Sequence, residues 1–330
     1  MLTKSMTYHE PVDIWHGLSE VPQDLTGSVV TIGVFDGVHR GHQQLIKTAV
    51  DRAHSQTLPA ILLTFDPHPA AVIRPEAMPP LLSSMVGRAS LVSKLGIDHL
   101  LALKFTRDLA ALEPEQFFRE VLLDTLHART IVVGKNFRFG HRAAGTTDLM
   151  RELGEKYRVE VIVHDLFELG DDRCSSTRVR ALLSEGKVAE AATILGRPFS
   201  VFEIVTRGAG RGGAELGYPT ANMYISEKYA LPADGVYAGW FIVRSASPIV
   251  GDMERDVRYP AAISVGTNPT FGDTRRSVET FVLDRHADLY GHACEVEFVD
   301  FVRGMEKFHS VDELLVAMER DVKKIREILA

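Results

Sequence analysis

The sequence predicts two domains of different class: an α/β doubly wound domain, then an antiparallel β-barrel or sandwich ending in a C-terminal helix. Three observations carry that expectation. Residues 28–166 alternate short apolar runs with longer helical stretches, whereas from about residue 197 short apolar runs follow one another through Gly and Pro turns with no helix between them. The length of 330 residues also exceeds what one core usually fills, roughly 250–300 residues. The boundary is placed at 186/187, giving domains 1–186 and 187–330.

In the first half the apolar runs are SVVTIGVF (28–35), PAILLTF (59–65), DHLLALKF (98–105), RTIVVG (129–134) and VEVIVHDL (159–166). Helices are expected between them at 41–55, near 86–95, at 114–126 and at 146–156. Apolar runs of this length separated by helices read as parallel strands buried on both faces. Such sheets bind ligands at the carboxyl ends of their strands. The unusual residues collect there, at 33–42, 65–69 and 134–140.

Two helical segments, 176–185 and 188–195, lead into the second half. Its runs are VFEIVTRG (201–208), GVYAGWFIV (235–243), YPAAISVG (259–266), SVETFVLD (277–284) and CEVEFVDFV (294–302), the texture of an antiparallel barrel. Residues 244–260 read as a polar surface excursion. Ser310 can cap a last helix, over which Val311 to Leu329 place apolar residues at helical spacing.

Composition narrows the function classes. Hydrophobic residues make up 45% and charged residues 25%, ordinary globular usage rather than disorder or membrane. A net charge of −7 argues against nucleic acid as a bulk partner, which needs a basic footprint, but a small anion needs only a local cluster. The two cysteines, Cys174 and Cys294, have no partner at zinc or redox-motif spacing and fit a reducing cytoplasm. The first fifteen residues hold no signal-peptide core, and no apolar run reaches the roughly 18 residues of a spanning helix. A cytoplasmic protein with no membrane partner is expected, with homo-oligomerisation left open.

The first chemical motif is GVFDGVHRGH (33–42), at the junction of the first strand and first helix. His39 and His42 are three apart, so on a helical first turn they share a face. Unsatisfied N–H groups and the positive dipole end at a helix N-terminus suit a phosphate beside them. Gly33, Gly37 and Gly41 allow close backbone approach. The same pattern would also serve a tight turn with two solvent-facing histidines, and a zinc site completed by His68 and His141 is a weaker alternative.

GVFDGVHRGHQQLI resembles the nucleotidyltransferase signature of the bacterial bifunctional riboflavin kinase and FAD synthetase family. TFDPHP (64–69), VVGKNFRFG (132–140) and SSTRVR (175–180) follow in the order of that family's further adenylyltransferase motifs. The resemblance implies a Rossmann-like nucleotidyltransferase domain that transfers AMP from ATP to FMN. It implies that His39 and His42 contact ATP phosphates, that Gly33, Phe35 and Asp36 contribute to the ATP site, and that Ser176, Thr177 and Arg180 hold the β- and γ-phosphates. Asp66, Pro67 and Asn136 are assigned to flavin and nucleotide positioning, although the two Asx residues would also serve as plain loop caps. Phe35, Phe65, Phe137 and Phe139 could stack on a ring, but aromatics beside strands are more often core.

The second motif is Gly-rich. Gly208, Gly210, Gly212 and Gly213 surround Arg211, and LGYPTAN (216–222) follows. It lacks the G-K-[ST] of a Walker loop. Thr220 and Asn222 offer hard oxygen ligands of the kind Mg²⁺ accepts. PTAN after GRG and LGYP resembles the ATP and magnesium signature of the riboflavin kinase family, and DGVYAGW (234–240), AAISVGTNPTFG (261–272), VETFVLD (278–284) and LYGHACEVEFVDFVR (289–303) extend the likeness. The implied ATP site comprises Gly208, Gly210, Arg211, Gly212, Thr220 and Asn222, with Mg²⁺ on Thr220 and Asn222 and Glu279 as general base toward the ribityl hydroxyl. His292 and Cys294 read as structural.

The expected function is therefore phosphorylation of riboflavin to FMN in the second domain and adenylylation of FMN to FAD, with release of pyrophosphate, in the first. A chain with one active domain, or a non-enzymatic flavin sensor, is the alternative.

Overall fold

A computed structural model describes residues 12–165, 167–169, 172–207, 219–268 and 273–330. The chain divides into two compact units, one of residues 1–79 and 85–175, the other of residues 80–84 and 176–330.

The first unit is a six-stranded sheet. In chain order its elements are β1 (Asp13–Trp15), β2 (Ser28–Ile32), α1 (Arg40–Gln56), β3 (Ala60–Asp66), α2 (Pro69–Ile73), α3 (Met85–Ser93), β4 (His99–Lys104), α4 (Arg107–Ala111), α5 (Pro114–Phe117), β5 (Ala128–Gly134), α6 (Thr147–Tyr157) and β6 (Glu160–His164). A π-helical stretch, Phe118–Thr125, continues α5. The strand order is β1-β4-β3-β2-β5-β6, every pairing parallel. A hairpin of β7 (Glu168–Leu169) and β8 (Asp172–Arg173) follows.

Strand alternation sorts the apolar runs onto two faces. Val30, Ile32, Ile61, Leu63, Ile131 and Val133 pack with Phe117, Phe118 and Met150. Val29, Leu62, Leu100 and Val132 pack on the other side with Ile46, Ala49 and Val50 of α1 and Ala89 and Val92 of α3. From β2 the chain steps to β3 and β4 on one side, then to β5 and β6 on the other. That reversal is a topological switch point, and the crevice outside the carboxyl ends of β2 and β5 is where such sheets take ligands.

The second unit begins with α7 (Ser176–Ser184) and α8 (Val188–Leu195). Its strands are β9 (Phe199–Ile204), β10 (Ala221–Met223), β11 (Gly235–Val243), β12 (Val250–Gly251), β13 (Tyr259–Asn268), β14 (Asp273–Val282), β15 (Ala287–Asp288) and β16 (Ala293–Arg303), and α9 (Val311–Leu329) closes the chain. The main sheet runs β10-β14-β13-β11-β16-β9, antiparallel throughout. The sheet curls until its two edges meet: Thr206, just past β9, bridges Asn222 of β10, its N–H donating to the Asn222 carbonyl at 2.9 Å. β11 crosses β16 with two register shifts, the bulges that let a sheet bend this sharply. At the second shift Gly239 passes so close to β16 that a Cβ would lie 2.0 Å from the Glu297 carbonyl oxygen.

Ser310 caps α9 as its type predicts, its hydroxyl accepting the Glu313 N–H at 3.1 Å. The helix packs on β11, β13 and β16 around Val236, Ala238, Leu283, Val302 and Ile325.

Candidate functional sites in each unit

In the first unit, the turn after β2 is wound tightly. Phe35 (φ 51°) and Val38 (φ 43°) both take left-handed backbone, alongside Gly37 (φ 76°). A β-branched residue with positive φ is a genuine outlier, and such strain persists where surrounding contacts over-determine it. Here Phe35 and Val38 are both anchored in the core. The side chain of Phe35 is thus turned away from any ligand and packs edge-on against His42, ring centroids 5.1 Å apart.

His39 caps α1, its Nδ1 accepting the His42 N–H at 3.4 Å. The two imidazoles stack with centroids 3.6 Å apart and planes at 21°. Gly41 makes this possible, because a Cβ there would meet the His39 ring at 3.2 Å and the Phe167 Cβ at 3.3 Å. His42 Nδ1 is buried and has no hydrogen-bond partner. Burial first, then the neighbouring His39 and the cationic Arg88, hold the His42 pKa well below the ordinary histidine value. His42 is therefore a neutral imidazole at physiological pH, with one N–H to give.

Asp36 is buried, with its carboxylate 3.6 Å from the buried Arg88 guanidinium of α3. Gly33 closes against the Phe35 ring, which a Cβ would touch at 3.2 Å. Across the switch point, Asn136 lies just past β5 with Oδ1 over Gly134, whose own Cβ position also approaches Leu45 of α1. Asp66 and Pro67 are exposed at the end of β3. Gly33, Phe35, Asp36, His39, His42, Pro67 and Asn136 thus follow strands β2, β3 and β5 of one sheet, and Asp66 ends β3.

Phe139 is core and stacks on Phe137, and Phe65 packs edge-on to Phe105. His68 caps α2, and His141 faces Glu113 at 3.3 Å. Among the described residues no group of three or more His, Cys, Asp or Glu side chains is placed to hold a metal ion. Ser176, Thr177 and Arg180 lie on α7, in the second unit; Arg180 Nε donates to the Pro80 carbonyl at 2.6 Å.

In the second unit, Gly208, Gly210, Arg211 and Gly212 lie outside the described residues. Asn222 and Glu279 are directly opposite each other on β10 and β14, and Ser264 is opposite Glu279 on β13. Asn222 Nδ2 donates to the Thr220 carbonyl at 3.0 Å and reaches its hydroxyl at 3.3 Å. A hydroxyl, an amide oxygen and a carboxylate therefore face one space, a donor set of hard oxygens that fits Mg²⁺ with water or phosphate completing the shell.

Glu279 and Thr220 line one end of a cavity of about 250 Å³. Its walls are largely apolar, with Val236, Ala262 and Phe281 on the strands and Phe308, Leu314, Met318 and Val322 from the C-terminal segment, but Ser264, Arg303, Glu306 and Asp321 also line it. Burial raises the Glu279 pKa, partly offset by a hydrogen bond with Ser277. Arg303 and Asp321 tie the far wall together, with Nε to Oδ1 at 3.0 Å and a terminal guanidinium nitrogen to Oδ2 at 2.8 Å. Both are largely buried.

Three residues that matter to these sites escape sequence reading. Arg88 is the only charged residue between Glu76 and Lys94, a signal in itself, but its partner Asp36 is remote in sequence. Arg303 and Asp321 were indistinguishable from surface charges on a strand end and an amphipathic helix.

Two family models match the chain: FAD synthetase over residues 21–178 and riboflavin kinase over residues 195–329. The first extends through Ser176 and Thr177. Curated proteins named bifunctional riboflavin kinase/FMN adenylyltransferase are similar over nearly the full length. That of Escherichia coli (strain K12) is 32% identical over 94% of this chain and 95% of its own. That of Listeria monocytogenes is 32% identical over 99% and 98%, and that of Bacillus subtilis 30% over 94% and 95%. A crystal structure described as a macrolide-efflux protein from Streptococcus pneumoniae superposes with a TM-score of 0.82 and 29% identity over 96% of this chain and 99% of that one. Among the described residues no helix is long and apolar enough to cross a membrane.

Proposed function

The chain belongs to the bifunctional riboflavin kinase/FMN adenylyltransferase family, and from that premise we propose how its own residues divide the two reactions. It phosphorylates riboflavin to FMN with its C-terminal half and adenylylates FMN to FAD with its N-terminal half.

For adenylyl transfer, a phosphate oxygen of FMN attacks the α-phosphorus of ATP, the bond from that phosphorus to the bridging oxygen breaks, and pyrophosphate leaves. FMN already carries its nucleophile as an anion, so alignment and charge stabilisation dominate. The observation that carries this reading is the His39–His42 stack at the N-terminus of α1, beside the switch point. The helix end supplies N–H groups and a positive potential to phosphate oxygens, and neutral His42 adds an N–H donor at the reacting phosphorus. Gly33 and the backbone of Phe35 and Asp36 line the same turn; Asn136, Asp66 and Pro67 are assigned to FMN. Ser176, Thr177 and Arg180 are assigned to the leaving pyrophosphate on the strength of their motif, with Arg180 suited to bidentate contact.

For the kinase step, the terminal ribityl hydroxyl attacks the γ-phosphorus, the bond between that phosphorus and the bridging oxygen to the β-phosphorus breaks, ADP leaves, and the hydroxyl proton passes to Glu279. A buried carboxylate with a raised pKa is a better acceptor than an ordinary one. Phosphoryl transfer tolerates late proton loss. The apolar cavity beside Glu279 suits a flat ring system. Thr220 and Asn222 are assigned to Mg²⁺, which would neutralise charge on the transferring phosphate, and Gly208, Gly210, Arg211 and Gly212 to the ATP phosphates. We place the enzyme in the cytoplasm, where ATP and reduced cysteines coexist.

The test is direct. Riboflavin, ATP and Mg²⁺ incubated with the protein should give FMN and then FAD on a chromatogram, with pyrophosphate released in step with FAD. Flavin bound without turnover would favour a sensor, and FMN accumulating without FAD would leave one active half.

A further inference from the structure

We infer that Arg88 is a positioning residue for adenylyl transfer: from α3 it grips both sides of the strained turn that delivers His39 and His42 to the substrate phosphates. The inference rests on the reading of that turn as the ATP phosphate site.

Arg88 is 3% exposed and Asp36 is 2% exposed, so neither meets solvent. The guanidinium makes two contacts that bracket Phe35. It lies 3.6 Å from the Asp36 carboxylate, after Phe35. It also donates to the Thr64 hydroxyl at 3.0 Å, and that hydroxyl donates to the Val34 carbonyl at 2.9 Å, before Phe35. The turn is thus held to β3 and α3 on both flanks of Phe35, the first of its left-handed residues. Strained backbone of this kind survives only where its surroundings leave it no alternative.

Stability alone gives little reason for a buried ion pair, because apolar residues of similar volume usually serve a core as well. A cation here does something apolar residues cannot. It places positive charge behind the phosphate site and helps keep His42 neutral. Among the described residues, the titratable or charged groups that act on His42 are the stacked His39 and Arg88 itself; Arg40 neighbours it on the same helical turn, and Asp36 faces Arg88. Removing Arg88 would take away the buried cation that faces the Asp36 carboxylate at 3.6 Å.

The experiment compares Arg88→Met and Arg88→Lys in the full chain, measuring FMN→FAD and riboflavin→FMN separately from about pH 5.5 to 8.5, the span in which histidine titrates. Arg88→Met should lower kcat for adenylylation by about 100-fold, as loss of alignment does, while the kinase step persists. Its acid limb for FMN→FAD should move up by about one pH unit, the scale of removing one nearby like charge. Arg88→Lys should rescue most of the activity and keep the wild-type limb. Should Arg88→Met fail to fold, Thr64→Val carries the test: it removes only the hydroxyl that links Arg88 to Val34, and should cost about tenfold in adenylylation. Adenylylation within threefold of wild type in Arg88→Met, an unmoved acid limb, or an Arg88→Lys as impaired as Arg88→Met would overturn the inference. If His42→Ala left adenylylation intact, the underlying reading of the site would fall instead.

Discussion

His39 and His42 stack face to face, ring centroids 3.6 Å apart, on the first turn of a helix that starts at the switch point of a parallel sheet. Two imidazoles this close cannot both hold a proton cheaply in a buried setting. His42 is thereby biased to the neutral form that donates a hydrogen bond to an anion.

Gly41 is the spacer that allows the stack. Gly41→Ala adds a Cβ 3.2 Å from the His39 ring and 3.3 Å from the Phe167 Cβ, so His39 must shift. A misplacement of this size should lower FMN adenylylation by about 10- to 100-fold with the kinase step intact. Separate steady-state assays of the two steps check it.

Stability should decline on mild acidification. His42 is held neutral in the fold by burial, His39 and Arg88, whereas in the unfolded chain it titrates near the ordinary value of about 6.5. Below that value the unfolded state binds more protons, so folding free energy falls with pH, by at most about 1.4 kcal/mol per pH unit for this one group. Urea midpoints at successive pH values should show the decline, and His42→Gln should flatten it.

The kinase step should lose activity at higher pH than an ordinary carboxylate base would dictate. As the base proposed for the ribityl hydroxyl, Glu279 must be ionised to accept the proton, and burial raises its pKa, so the acid limb of kcat/KM should lie above the usual glutamate range of about 4.3. Glu279→Gln should abolish the limb along with at least about 100-fold of the rate. A pH–rate profile of riboflavin phosphorylation decides this.

Asp321→Ala should loosen the cavity beside Glu279, which we propose takes riboflavin. It leaves Arg303 without the carboxylate that ties the end of β16 to α9, and breaking a buried pair from one side costs about 3–5 kcal/mol. A raised KM for riboflavin with a lowered thermal midpoint is expected, while FMN→FAD with supplied FMN is spared at permissive temperature.

Much of this was legible in the sequence, and for identifiable reasons. The apolar runs at 28–35, 59–65, 98–105 and 129–134 are separated by helical stretches, and the structure has strands at each. The Ser310 cap and the 311–329 helix obey local rules that tertiary contacts need not rescue. β1 and β10 escaped because three residues carry no periodicity; each is a strand only through its partner, β4 or β14. The helix expected at 114–126 is present as a short α segment passing into π-helix, a change of hydrogen-bond register with no composition signal. At the first site, motif spacing anticipated the paired histidines, but not that the side chain of Phe35 would face the core, nor that Arg88 would reach Asp36. Those depend on how a left-handed turn is packed from below, information distributed over three elements remote in sequence.

The division of labour between the halves is the central claim, and exchanging one lesion for the other tests it most directly. His42→Ala and Glu279→Ala are each given riboflavin with ATP, then FMN with ATP, and the flavins are resolved by chromatography. His42→Ala should accumulate FMN and make no FAD, Glu279→Ala should leave riboflavin untouched yet convert FMN to FAD, and a mixture of the two should carry riboflavin through to FAD. Loss of both steps in either folded variant would contradict the account.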